Sequence, residues 1–191
     1  QYSQHRRKFF GTEATDNPGE QFIVFSQNHD QVGNRMLGER SSQLFSGNMQ
    51  RLMAAAVVVS PFLPMLFMGE EWAASTPFQY FVSHSDEQLI KAVREGRRAE
   101  FKDFHGEGEA PDPQSEETFR ASKLNWDEPA KEAHRNMLNY YRALIRLRRQ
   151  QPALKQPDRK TLSVTFDEGK QVLVLRRRCA EQELISLMNF S

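Results

Sequence analysis

Apolar positions along the chain fall into short runs parted by polar stretches that carry Gly, Pro, Asn and Asp. Residues 22–25 (Phe-Ile-Val-Phe) form the first run, and their aromatic and β-branched content predicts a fully buried strand. A polar segment, 27–35, follows it. Residues 48–59 are apolar on most sides around Ala54, Ala55 and Ala56, which predicts a buried helix stopped by Pro61 and Pro64. A second short apolar run, 65–68, ends in Gly69-Glu70-Glu71-Trp72. Strand, polar loop, buried helix, strand, acidic loop is the βαβ rhythm of a parallel sheet or barrel. The acidic residues stand just past the carboxyl end of each predicted strand, the edge at which (β/α)8 enzymes carry their chemistry.

Further along, Ser85 and Gln88 have capping-box spacing and announce a helix with Leu89, Ile90 and Val93 on its apolar face. Residues 107–117 are acidic and hold two prolines, so they predict an exposed loop. Asp127 with Pro129 marks the start of another helix, on which Met137, Leu138, Tyr141, Leu144 and Ile145 share a face. Beyond Pro152 and Pro157 the period turns from helical to alternating. Residues 162–166, 172–177 and 184–188 then predict three strands, too few for a complete sandwich. The fold class expected is therefore α/β. Residues 1–157 would form the C-terminal part of a (β/α)8 barrel, and residues 158–191 the start of an antiparallel β domain.

Charge and cysteine content narrow the function. Lys and Arg total 26 against 25 Asp and Glu, a formal net charge of +1, so a strongly basic nucleic-acid binder is not expected. The longest apolar stretch, 52–68, is broken by Ser60, Pro61 and Pro64, so no membrane span is expected. The single Cys179 excludes an internal disulfide framework and a Cys-based zinc site, and with no charged-then-apolar signal segment in view a cytoplasmic setting is expected. The five histidines show no ligand spacing, so neither metal nor cofactor is expected.

The string Phe22-Ile-Val-Phe-Ser-Gln-Asn-His-Asp-Gln-Val-Gly-Asn-Arg35 resembles the fourth signature region of the alpha-amylase family, glycoside hydrolase family 13. Gln27 before the Asn-His-Asp core, and Gln31 to Arg35 with Gly38-Glu39-Arg40 after it, resemble the family's trehalohydrolase branch. So do residues 76–81, 92–98 and 118–124, while residues 67–72 resemble the end of the family's eighth strand. The resemblance implies that these are the seventh and eighth barrel strands, with their helices and part of a trailing β domain. In that family the nucleophilic aspartate and the acid/base glutamate come from the fourth and fifth strands, whereas only 21 residues precede Phe22 here. The expectation is a piece of a larger enzyme, inactive alone. Its open strand edges favour self-association or union with the missing N-terminal part of the barrel.

The resemblance implies a retaining glycoside hydrolase that cuts the α-1,4 bond beside the trehalose end of maltooligosyl trehalose. Such chemistry uses two carboxyl groups about 5–5.5 Å apart and an oxocarbenium-like transition state. Asp30 would be the third, stabilising carboxylate, with His29 on the same sugar. Gln27, Asn28, Arg35, Glu70, Glu71, Trp72 and Arg6 are the candidate substrate-binding residues. Each also has a plainer reading. Asp30 could cap a helix in a structural turn. Glu70 and Glu71 could form a solvated loop, Trp72 could pack, Arg35 could pair with a loop carboxylate, and Arg6 could belong to a solvated basic face. Two alternatives also stand: a branching enzyme, or a non-catalytic α-glucan-binding module with Trp72, Phe78, Tyr80 and Phe81 as its aromatic platform.

Overall fold

The computed structural model of the chain describes residues 2–101, 109–156, 158–180 and 182–191. A short antiparallel pair opens the chain, β1 (Tyr2–Ser3) with β2 (Lys8–Phe9), and the rings of Tyr2 and Phe9 meet edge to face at 5.2 Å. The next strand, β3 (Ile23–Val24), leads into α1 (His29–Gly33), α2 (Ser41–Leu44) and α3 (Gly47–Val59). The chain then returns as β4 (Leu63–Pro64), parallel to β3. This is the expected βαβ unit, with shorter strands.

The second strand pairs two residues earlier than the apolar run 65–68 suggests. Leu63 N donates to Phe22 O and Met65 N to Val24 O, both at 2.9 Å. In a parallel ladder alternate amides face opposite neighbours, so Pro64, which lies between them, removes no bond to β3. A proline read as a helix stop is also a strand residue whose missing donor faces the open edge.

The remaining helices are α4 (Glu87–Phe101), α5 (Glu116–Ala121), α6 (Glu132–Gln150) and the one-turn α7 (Pro152–Lys155). The cap of α4 differs from the expected Ser85–Gln88 box: Asp86 Oδ1 accepts from Leu89 N at 2.7 Å. Glu107 and His105 lie outside the described residues. Asp127 and Pro129 open a separate 3-10 turn, Glu128–Ala130, rather than α6 itself. The chain ends in a three-stranded antiparallel meander, β5 (Leu162–Asp167), β6 (Val172–Cys179) and β7 (Gln182–Asn189).

Two apolar clusters hold these parts together. In one, Ala54 and Val58 of α3 meet Met137, Tyr141 and Leu144 of α6. In the other, Val59 meets Leu154 of α7 and Leu175 and Met188 of the meander. Leu154 is 0% exposed, and its burial stabilises the fold by about 2 kcal/mol. This cluster draws side chains from both sides of residue 157.

Two arginines close the carboxyl end of α3, whose last carbonyls have no partner within the helix. Arg148 Nη1 donates to Val58 O at 2.6 Å and Ser60 O at 2.8 Å, and its Nη2 donates to Phe62 O at 2.7 Å. Arg177 Nη1 donates to Val59 O at 3.2 Å and Ser60 O at 3.0 Å. Burial, and then the neighbouring Arg148, push the Arg177 guanidinium down to about 10. Among the described residues no helix is long and apolar enough to cross a membrane.

Candidate functional site

The carboxyl end of β3 runs straight into α1, and the first turn of that helix presents His29 and Asp30. Asn28 is the N-cap: its Oδ1 accepts from Gln31 N at 2.8 Å. The cap is therefore not Asp30, whose carboxylate is 72% exposed and lies 3.3 Å from His29 Nε2. An uncommitted carboxylate beside an imidazole, held at the helix start, can accept hydrogen bonds from sugar hydroxyls and place fixed negative charge near a developing cation.

Beneath this pair lies a buried polar layer. Gln27 is buried, and its Oε1 accepts from Ser41 N at 3.1 Å, which ties the end of β3 to α2. Arg40 is 1% exposed. Its Nε donates to Thr76 O and its Nη1 to Met68 O, both at 2.7 Å, and its guanidinium lies 4.9 Å over the Phe67 ring. Burial lowers the Arg40 pKa from its ordinary value, while the charges of Glu71, Glu70 and Glu128 oppose that shift.

Glu70 begins the 3-10 turn Glu70–Trp72 just past β4 and is buried. Tyr141 Oη donates to its Oε1 at 3.2 Å. Burial raises the Glu70 pKa, and the Phe67 backbone amide bond, the Gln27 amide and the Tyr141 hydroxyl pull it back only in part. Burial and the facing Glu70 carboxylate in turn raise the Tyr141 phenol. Glu128 is buried nearby and accepts from the Ser75 hydroxyl and from Ser75 N, the latter at 3.2 Å. Burial raises its pKa, but those two bonds together with the nearby His134 and Lys131 outweigh burial, and the net shift is downward.

The sequence-derived set therefore divides. His29, Asp30 and Asn28 stand together at the strand end, with Gln27 and Glu70 in the layer below. Glu71 is partly buried beside Glu70. Arg35 pairs with Glu39 at 3.4 Å. Trp72 is 4% exposed, and the His134 ring nitrogen lies 2.8 Å from its carbonyl, so its indole packs and is not presented to solvent. Arg6 lies instead over the Phe10 ring at 4.7 Å, beside the N-terminal hairpin. The four-ring platform is not assembled: Trp72 is buried, Tyr80 lies under Arg97, and Phe78 and Phe81 meet edge to face. The sequence placed Tyr141 only on a packing face and Arg40 only in a matching string, and pointed to no role for Glu128. Their partners lie 28 to 71 residues away in the chain, so no local pattern points to them. Among the described residues no group of three or more His, Cys, Asp or Glu is arranged to hold a metal ion.

No family model matches the chain. Over 180 residues it is 41% identical to the malto-oligosyltrehalose trehalohydrolase of Mycobacterium tuberculosis (strain H37Rv), covering 92% of this chain and 31% of that protein. It is 46% identical over 170 residues to the enzyme of the same name from Deinococcus radiodurans, covering 88% and 28%. With that of Saccharolobus solfataricus it shares 44% over 149 residues, covering 78% and 25%. The chain thus spans 25% to 31% of the length of these curated relatives. Among solved structures, a candidate alpha-amylase of Salmonella typhimurium superposes with a TM-score of 0.88 at 35% identity, covering 100% of this chain and 32% of that one. An isomaltulose synthase of Erwinia rhapontici reaches a TM-score of 0.50 at 16% identity over 88% of this chain and 34% of its own, a likeness of fold alone.

Proposed function

We propose, because this chain belongs with the malto-oligosyltrehalose trehalohydrolases of the alpha-amylase family, that it forms part of an enzyme that hydrolyses maltooligosyl trehalose. The bond cut is the α-1,4 linkage beside the trehalose end, and trehalose is released. Here β3 and β4 are the seventh and eighth barrel strands, and residues 158–191 begin the trailing β domain.

One observation carries this reading above the rest. Asp30 is an exposed carboxylate just past the carboxyl end of a parallel strand, and the capping duty it could have had belongs to Asn28. Asp30 and His29 hold hydroxyls of the sugar whose bond breaks, and the Asp30 charge stabilises the oxocarbenium-like transition state. The nucleophile and the acid/base belong to other strands of the barrel. Gln27, Glu70 and Arg40 fix the two strand ends, and Arg35 and Glu71 remain the sugar-facing candidates.

Exposed Ile23 of β3 and Leu63 of β4 are paired in register and share one face, with exposed Phe25 and Met65 just past the two strand ends. Parallel strands are covered on both faces, so this face takes the rest of the barrel, or a second copy of the chain when that is absent. We place the reaction in the cytoplasm, in keeping with the lone Cys179.

The test is trehalose release from maltooligosyl trehalose by this chain joined to the upstream barrel strands of the Deinococcus radiodurans relative. The joined protein is expected to turn over, and Asp30→Asn to lower kcat by about a thousandfold. A folded joined protein that releases no trehalose, or that is indifferent to Asp30→Asn, would overturn the reading.

A further inference from the structure

Two of the sequence runs set apart above, 76–81 and 118–124, touch the layer under Asp30 through the Thr76 carbonyl, and the fold brings them together. Gln79 N donates to Ser122 Oγ at 3.0 Å, and Ser122 Oγ donates to Thr118 O at 2.9 Å. Thr118 Oγ1 donates in turn to Asp112 O at 2.6 Å. Between the runs opens a cavity of about 350 Å³, walled by Met68, Phe81, Phe119, Leu124 and Trp126, with Lys123 beside Phe119. Met68, on its wall, lies four residues past the carboxyl end of β4, as Asp30 lies six past that of β3.

The wall is held rather than loose. Phe67, Phe78, Phe81 and Phe119 form a chain of edge-to-face contacts at 5.2, 5.8 and 5.2 Å. Trp126 is backed on one side by the buried Trp72, ring centres 5.3 Å apart, and still is 73% exposed. Met68 and Phe119 on the same cavity are also exposed. A bare indole with a packed ring behind it is a preset flat surface, and leaving that much apolar area in water has a cost that a ligand can recover.

We propose that this cavity is a second sugar-binding position, which stacks an α-linked glucose unit of the substrate on Trp126 and Phe119. A pyranose carries C–H bonds on its faces and hydroxyls on its rim. The aromatic wall suits the face, and the Lys123 ammonium, 4.8 Å over the Phe119 ring, offers donors to the rim. A volume near 350 Å³ with mostly apolar lining and few polar groups is in the range of small-ligand sites. The ligand class rests on the α-glucan reading above. The same glucosyl chemistry occurs in the glucan chain and in the trehalose end.

The chain has two tryptophans, one buried and one exposed, so 19F NMR of the 5-fluorotryptophan-labelled protein separates them, with Trp126→Phe making the assignment. Maltoheptaose and trehalose are titrated separately. The expected result is a saturable shift of the Trp126 signal with Trp72 nearly still. Phe119→Ala should weaken binding by about tenfold, and Leu187→Ala in the distant meander should leave it unchanged. A response to maltoheptaose assigns the site to the glucan chain, and a response to trehalose alone assigns it to the trehalose end. A folded protein whose Trp126 signal ignores both sugars would overturn the proposal. So would binding that survives Phe119→Ala unchanged, or 8-anilinonaphthalene sulfonate held there that neither sugar displaces. Trehalose turnover by the joined enzyme with a silent Trp126 would sink this site and leave the proposed reaction standing.

Discussion

Arg40 Nη1 donates a 2.7 Å hydrogen bond to the Met68 carbonyl, and that bond joins the loop after β3 to the turn after β4. The same side chain holds Thr76 O, so one buried cation spans both strand ends. Arg40→Met keeps the volume but leaves the partly buried Met68 and Thr76 carbonyls without this donor. We expect a loss of about 2–4 kcal/mol in urea unfolding, with Arg40→Lys between the two because an ammonium lacks the planar fork. A loss below about 0.5 kcal/mol would mean that the loops are held by packing alone.

Gly69 sits between those loops with φ +86°, a left-handed conformation. A Cβ there would lie 2.6 Å from Leu124 Cδ2 and 2.9 Å from Ala74 Cβ. Gly69→Ala therefore meets conformational strain and a steric clash together, and we expect a cost of at least about 2 kcal/mol in thermal unfolding. Adding Leu124→Ala should relieve only the steric share. Full recovery in that double variant would show that the backbone strain is negligible.

How far the chain could be read in advance depended on how local each cause is. The buried helix α3, the amphipathic α6 and the three β strands follow from periodicity, because burial of one face leaves its mark residue by residue. The strand ending before Asn28-His29-Asp30 was legible for the same reason, and with it Asp30 at a strand edge. Pro64 misled, because its meaning depends on which neighbour its nitrogen faces. The burial of Gln27 and Glu70 was not legible either. It goes with Ser41, whose amide donates to Gln27, and with Tyr141 of α6, which donates to Glu70, partners 14 and 71 residues away in the chain. Arg177 shows the same limit: it stands between Arg176 and Arg178 in a predicted strand, and only the packing of β6 on α3 shows that it turns inward.

Glu70 should impose a measurable pH dependence. Its folded pKa is raised, chiefly by burial, above the ordinary 4.5. A raised carboxyl favours the protonated form in the fold. Its stability contribution is therefore full below pH 4.5 and is lost as pH rises through the folded value. Glu70→Gln keeps an oxygen for the Tyr141 hydroxyl and cannot ionise. Relative to the parent chain it should grow more stable as pH is raised from about 4.5 to 8 in parallel urea titrations. A stability difference that stays flat over that interval would show that Glu70 titrates normally.

Arg97 should govern the local order of the helix that carries Asp30. It is the buried residue of α4, and its Nη2 donates to Gly33 O at 3.0 Å and to Arg35 O at 3.3 Å, at the carboxyl end of α1. Its Nη1 meets Glu100 at 3.0 Å, and the rings of Tyr80 and Phe101 flank the guanidinium at 5.0 and 4.6 Å. A five-residue helix cannot hold itself in water, so α1 depends on such outside contacts. Arg97→Lys keeps the charge and loses the planar fork that holds the carbonyls at the end of α1 with one nitrogen and Glu100 with the other. Amide exchange across α1 and α4 should then quicken by about tenfold or more, equivalent to roughly 1.4 kcal/mol of local opening energy. Amides of α6 and β6, which belong to other packing clusters, should keep their rates. Acceleration spread evenly over all four elements would mean that Arg97 supports the whole fold and has no particular hold on the Asp30 turn.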